Sequence, residues 1–92
     1  MEYNMKIPKS FQLAGGVWTV VEVDTILGSA LGACSRDKLR IELCKDSPKA
    51  VKEITFAHEL VHAIKYTMGQ TDHNETEVDA FAIILHQYLN QV

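Results

Sequence analysis

In the first half of the chain, residues 11–13 and 39–43 alternate apolar and polar side chains, and residues 17–23 are rich in β-branched and aromatic ones. Both patterns are typical of β-strands. A short turn sequence follows the first of these runs and another precedes the last, so the pattern predicts two hairpins. In the last run, every second residue is a large aliphatic one, which indicates a single buried face. The four runs comprise residues 11–13, 17–23, 31–35 and 39–43.

A helical period begins after residue 47. Ser47 as N-cap and Pro48 in the first turn predict the start of a helix, and Gly69 predicts its end. Between them lie about six turns. Apolar residues cover most of the circumference, and polar residues form a single stripe. This pattern predicts a buried helix with one side facing a cleft.

A second helix is predicted over residues 75–90, with Asp72 or Asn74 as its cap. The fold class is therefore α+β, with a small twisted, mostly antiparallel sheet of about four strands followed by two helices. A length of 92 residues predicts one domain over 1–92, with residues 1–9 as a loose lead-in.

Composition and charge narrow the class of protein. Hydrophobic residues make up 47% of the chain, which excludes intrinsic disorder. The nine basic residues do not cluster and are outnumbered by twelve acidic residues, so we expect no nucleic-acid partner. No apolar run approaches the roughly 20 residues of a membrane span, and the first residues do not resemble a signal peptide. We expect a cytoplasmic protein whose Cys34 and Cys44 are free, semi-buried thiols.

The polar stripe of the first helix carries the pattern His-Glu-x-x-His, formed by His58, Glu59 and His62. Residues four apart lie on the same side of a helix, so both imidazoles can bind one metal ion. Glu59 projects beside them, close enough to act on a metal-bound water molecule. The arrangement is typical of hydrolases that use Zn²⁺.

A catalytic zinc ion usually has three protein ligands, so a third ligand is expected downstream. Helical spacing directs Glu75 and Asp79 towards the first helix and Glu77 towards solvent. Glu75 is the predicted third ligand, and His73 in the preceding loop is the alternative. Asp79 is placed to accept a hydrogen bond from a ligand imidazole. His86 is interpreted as a hydrogen-bonded histidine near the surface between the helices.

The segment from His58 to Ala63, followed by Glu75 and Asp79, resembles the gluzincin pattern of zinc metallopeptidases. It is also similar to small phage- and prophage-encoded metallopeptidases and to the ImmA/IrrE group. The resemblance implies a minimal zincin-like fold, with Glu75 as zinc ligand and Asp79 orienting a ligand histidine. It also implies that residues 31–34 form the sheet edge beside the zinc, where an extended peptide substrate pairs.

These features predict a zinc-dependent peptidase. Glu59 would be the general base, and the ligands of one catalytic Zn²⁺ would be His58, His62 and Glu75. The expected partner is a peptide or protein substrate, met in the bacterial host cytoplasm if the protein is phage-encoded. The alternative is a zinc-binding regulatory or interaction module of phage or prophage origin that cleaves nothing by itself.

Overall fold

The computed structural model describes residues 5–91, and the predicted α+β class is confirmed. A four-stranded sheet precedes two helices, and one 3₁₀ turn at Leu27–Ser29 links the two halves of the sheet. The elements are β1 (Ser10–Leu13), β2 (Gly16–Val23), β3 (Gly32–Ser35), β4 (Arg40–Cys44), α1 (Lys49–Thr67) and α2 (Glu75–Leu89).

Both predicted hairpins are confirmed, since β1 pairs with β2 and β3 with β4 in antiparallel fashion. Ala14 and Gly15 close the first hairpin with φ angles of 48° and 86°. Such a two-residue turn matches the twist of the strands it joins. The hairpins meet through β2 and β4, which are parallel, a pairing that the local pattern did not predict. The order β1-β2-β4-β3 places β3 at one edge of the sheet.

The face of β4 predicted to be buried is the one that packs on α1. Ile41 and Leu43 are 0% and 1% exposed, and Leu39 packs against the same cluster. Trp18 from β2 and Phe56 from α1 complete its centre. Because α1 lies across β3 and β4, its side chains reach the edge of the sheet that β3 forms.

The prediction of Ser47 as the N-cap of α1 is wrong, and the prediction that the helix ends at Gly69 is confirmed. The Ser47 N–H donates to the Cys44 carbonyl at 3.2 Å, and Pro48 remains extended with ψ 151°, so the helix begins only at Lys49. Pro48 is the N-cap and makes no side-chain capping bond. At the other end Gly69 has φ 85°, which glycine adopts without strain, and its N–H donates back to the helix.

The second helix begins as predicted, with Asn74 as its cap. The Asn74 side chain accepts a hydrogen bond from the Glu77 backbone N–H at 3.0 Å. The surface between α1 and α2 consists of fully buried small and medium aliphatic residues, which allow a close approach of the two helices. They are Ala57, Val61, Val78 and Ala82. This packing brings the first turn of α2 over the polar stripe of α1.

Residues 5–9 have no regular secondary structure but are anchored at Met5. Met5 is 6% exposed, and its N–H donates to Asn90 Oδ1 at 3.0 Å, at the end of α2. The first four residues of the predicted lead-in lie outside the described part of the chain. Cys34 and Cys44 are free and half-buried, as predicted. Among the described residues, no helix has the length and apolar character needed to cross a membrane.

Candidate metal centre

Two histidines of α1 and the first residue of α2 converge on one point. His58 Nε2 lies 3.3 Å from one carboxylate oxygen of Glu75, and His62 Nε2 lies 3.2 Å from the other. The two Nε2 atoms are 3.3 Å apart. All the potential ligand atoms of this group lie within 4.8 Å of one another, so the three residues could hold a metal ion. The structure thus brings the predicted ligands together.

Asp79 supports one of these imidazoles from behind. Its Oδ1 lies 2.9 Å from His58 Nδ1, one helical turn beyond Glu75. A carboxylate accepts a hydrogen bond from a ring N–H, so Nδ1 of the neutral ring carries the proton. The lone pair of the neutral imidazole is then on Nε2, the atom that faces Glu75. Asp79 therefore occupies the position that the sequence predicted for it.

His73, the alternative third ligand, lies on the opposite side of the His62 ring from Glu75. Its Nδ1 is 2.6 Å from Nδ1 of His62, and its Nε2 is 2.8 Å from the main-chain oxygen of Gln70. The Nδ1 edge of His62 is opposite the Nε2 edge that meets Glu75. The rings of His73 and Tyr66 also pack together, with centroids 4.4 Å apart. His73 therefore contacts a member of the ligand group without joining that group.

Glu59 follows His58 on α1 and is 8% exposed. Burial raises the pKa of its carboxyl to about 7; the nearby Glu75 adds to this shift, and His58 opposes it. Cys34 of β3 also lies near Glu59. Burial, together with the Glu59 charge, raises the pKa of the Cys34 thiol to about 12, so at neutral pH it is an uncharged thiol and a poor metal ligand.

Burial lowers the pKa of the His62 imidazole below its ordinary value. The Glu75 carboxylate acts in the opposite direction, and the imidazoles of His58 and His73 add to the lowering. The lowered pKa favours the neutral imidazole of His62. Neutral imidazole is the form that binds metal ions.

Two further candidates from the sequence do not join the group. Glu77 forms an ion pair with Lys65 of α1, and this hydrogen bond lowers the pKa of the Glu77 carboxyl. His86 Nε2 lies 3.3 Å from an oxygen of the buried Glu53 and 3.0 Å from the Asn90 amide. The interpretation of His86 as a hydrogen-bonded histidine between the helices is confirmed. Neither residue reaches the His58 and His62 side chains.

A cleft of about 570 Å³ opens beside His58 and Glu59, between the start of β3 and the two helices. Three of its polar side chains, His58, Glu59 and Asp79, belong to the site just described, Thr55 adds a hydroxyl group, and the other lining residues are apolar. The lining residues are Ala30, Leu31, Gly32, Ile54, Thr55, His58, Glu59, Asp79, Ala82 and Ile83. The strand that borders this cleft is the edge strand β3, which matches the arrangement implied by the family resemblance.

Gly32 lies in the predicted edge strand, but its close contact with α1 beside Glu59 was not predicted from the sequence. A Cβ at this position would lie 2.5 Å from Thr55 Cγ2 and 3.2 Å from Glu59 Cγ. Only glycine therefore lets β3 approach α1 this closely beside Glu59. A glycine within a predicted strand is the signal that could have identified it, because such a glycine often marks a close approach.

Comparisons with protein-family models, with curated proteins and with solved structures found no match for this chain.

Proposed function

We propose that this protein is a zinc-dependent peptidase with a minimal zincin-like fold. One observation carries the proposal. Two imidazole nitrogens and a carboxylate converge within 3.2–3.3 Å of one another, beside the buried carboxyl group of Glu59 and at the wall of a cleft. A metal site used only for structure does not need a further glutamate at its side.

The donor set fits zinc. Two imidazoles and one carboxylate are a set that zinc binds in catalytic sites, where a further position stays open for water or substrate. Asp79 contacts the outer nitrogen of His58 at 2.9 Å, as carboxylates behind zinc-binding histidines do. Two of the three proposed ligands come from α1, whose packing on α2 is fixed by Val61 and Val78, which are 1% and 0% exposed. Such a rigid support suits a metal site.

When bound, zinc supplies a Lewis acid that polarises a scissile carbonyl and makes a water molecule more acidic. Glu59 is the general base: its carboxylate accepts a proton from the attacking water and delivers that proton to the leaving amine. His58 and His62 hold their ring nitrogens towards Glu75, and Asp79 keeps the His58 ring in that orientation. Glu59 is only 8% exposed, so its carboxyl group is surrounded mainly by protein rather than by bulk water.

An extended peptide is the substrate class that this cleft favours. The edge strand β3 starts at the cleft, and Leu31 and Gly32 are among its lining residues. The outer edge of such a strand offers main-chain hydrogen bonds to a peptide of any sequence. Ile54 and Ile83 make part of the remaining wall apolar, so an apolar side chain beside the scissile bond would be bound best.

The test compares the wild-type protein with Glu59→Gln on a mixture of synthetic peptides, with cleavage read by mass spectrometry. We expect the zinc-loaded wild type to cleave and the variant to retain zinc without cleaving. Glu53→Gln is the matched control, because Glu53 is another buried glutamate of α1 but contacts His86 instead of the cleft. Full activity of Glu59→Gln would contradict the proposed base. Bound zinc without any cleavage by the wild type would favour the non-catalytic binding module.

A further inference from the structure

The two ligand imidazoles are supported differently at their outer nitrogens. His58 Nδ1 meets the carboxylate of Asp79 at 2.9 Å. His62 Nδ1 meets a second imidazole, Nδ1 of His73, at 2.6 Å, and that ring in turn meets the main-chain oxygen of Gln70 at 2.8 Å. A hydrogen-bonded chain thus runs from the His62 ring out to the loop that connects α1 and α2.

The Gln70 end determines the direction of this chain. A carbonyl oxygen only accepts, so His73 Nε2 carries the proton that it donates to Gln70. In a neutral imidazole the other nitrogen is then an acceptor, and His73 Nδ1 can only receive a hydrogen bond. His62 Nδ1 must therefore be the donor of the 2.6 Å contact. With the proton on Nδ1, the lone pair of the neutral His62 ring is on Nε2, the atom that lies 3.2 Å from Glu75.

The opposite arrangement of protons is unfavourable at the loop. If His73 donated from Nδ1, its unprotonated Nε2 would face the Gln70 oxygen, and two acceptors would lie 2.8 Å apart. His62 would then carry its proton on Nε2, donate it to the Glu75 carboxylate at 3.2 Å, and present an N–H instead of a lone pair to the metal position. The loop carbonyl thus selects one tautomer of His73, and His73 selects one tautomer of His62.

We propose that His73 is a positioning residue that holds His62 in its Nδ1–H tautomer, so that the Nε2 lone pair is directed at the metal. This inference rests on the metal site of the proposed function and adds a role that His73 fulfils without touching the metal. His73 supports the outer nitrogen of His62, as the Asp79 carboxylate supports that of His58. His73, which accepts the hydrogen bond from His62, and Gln70, which accepts from His73, both lie in the loop between α1 and α2. The conformation of residues 70–74 therefore becomes part of the site.

Two substitutions separate hydrogen bonding from packing. His73→Asn keeps an acceptor oxygen on Cγ, where the Nδ1 atom of histidine is attached, but loses the ring that packs on Tyr66. His73→Phe keeps a ring against Tyr66 and His62 but has no acceptor. Gln70→Ala is the control, because Gln70 accepts through its main-chain oxygen, which the substitution leaves in place.

The measurements are zinc affinity, by competition with a chelating dye, and the His62 tautomer, by long-range ¹H–¹⁵N correlation spectra of the metal-free protein. We expect His73→Phe to bind zinc about 10- to 100-fold more weakly and to lose the preference for Nδ1–H, as when other hydrogen-bond partners of metal ligands are removed. His73→Asn and Gln70→Ala should stay close to wild type in both measurements.

The outcomes are distinguishable from failure of the metal site itself. If the wild type binds no zinc, the proposed function fails first. If the wild type binds zinc and His73→Phe binds it equally well, the positioning role is refuted. Equal loss of affinity in the Asn and Phe variants also overturns it, since that pattern would indicate direct ligation by the histidine or a packing role of its ring.

Discussion

Gly32→Ala tests how closely the edge strand must approach the helix that carries Glu59. The added Cβ would lie 2.5 Å from Thr55 Cγ2, whereas ordinary contacts of this kind begin at 3.4 Å. Two further atoms are also close, at 3.2 Å for Glu59 Cγ and 3.3 Å for the main-chain oxygen of Glu42. The strand is hydrogen-bonded to β4 on one side, so it cannot move away freely. Either β3 or the middle of α1 must shift.

We expect Gly32→Ala to lower the free energy of unfolding by about 1–3 kcal/mol, the usual effect of overpacking. For a domain of this size each kcal/mol lowers the melting temperature by roughly 4–8 °C. Thr55 lies one helical turn before Glu59, so a shift of α1 also moves the proposed base. A displacement of about 1 Å at a catalytic group can reduce the rate about 100-fold. We therefore expect the peptidase activity to fall further than the loss of folded protein explains.

The assay is urea unfolding together with peptide cleavage at a temperature where the variant remains folded. Gly16→Ala is the matched control, because its Cβ would meet other atoms only at 3.5 Å. Thr55→Ala removes the closest atom, so combining it with Gly32→Ala should recover part of the lost stability. A coupling free energy of about 0.5–3 kcal/mol between the two substitutions is expected for residues in contact. Equal stability of both glycine variants, or no coupling to Thr55, would refute the reasoning.

Three further predictions concern stability, each measured by urea unfolding of the metal-free protein. Folding raises the pKa of the Glu59 carboxyl and so disfavours its charged form, and the free energy of unfolding should fall as the pH rises from 4.5 to about 7. Glu59→Gln should therefore stabilise the protein by up to about 3 kcal/mol at pH 8 but little at pH 4. An equal effect at both pH values would contradict this. Asn74→Ala removes a cap and should cost about 1 kcal/mol, whereas Asp72→Ala should not. Gly69→Ala, at φ 85°, should cost about 1 kcal/mol or more; no change would argue against strain there.

Local periodicity predicted much of the fold and the separate parts of the site. His58 and His62 share a helix face because of their spacing, and the same rule placed Glu75 and Asp79 on the inward side of α2. Both hairpins followed from alternation and turn residues. These features depend on residues close together in sequence, which is why pattern alone predicted them.

Features that depend on distant residues were not predictable in this way. The parallel pairing of β2 with β4 joins strands whose registers are set by tertiary packing, as in Val20 opposite Ile41. Gly32 looked like an ordinary strand residue until its approach to Thr55 was known. The position of His73 depends on the path of the loop after Gly69, which no period describes. The anchoring of Met5 by Asn90 joins the two ends of the described chain.

The central claim is that His58, His62 and Glu75 form one zinc site, and the most direct measurement is the zinc content of purified variants. Glu75→Gln and Glu77→Gln form a matched pair, because both carboxylates lie in the first turn of α2 and their side chains are 65% and 61% exposed. Elemental mass spectrometry should find one zinc per chain in the wild type and in Glu77→Gln, and far less in Glu75→Gln. One zinc per chain in all three proteins would contradict the site.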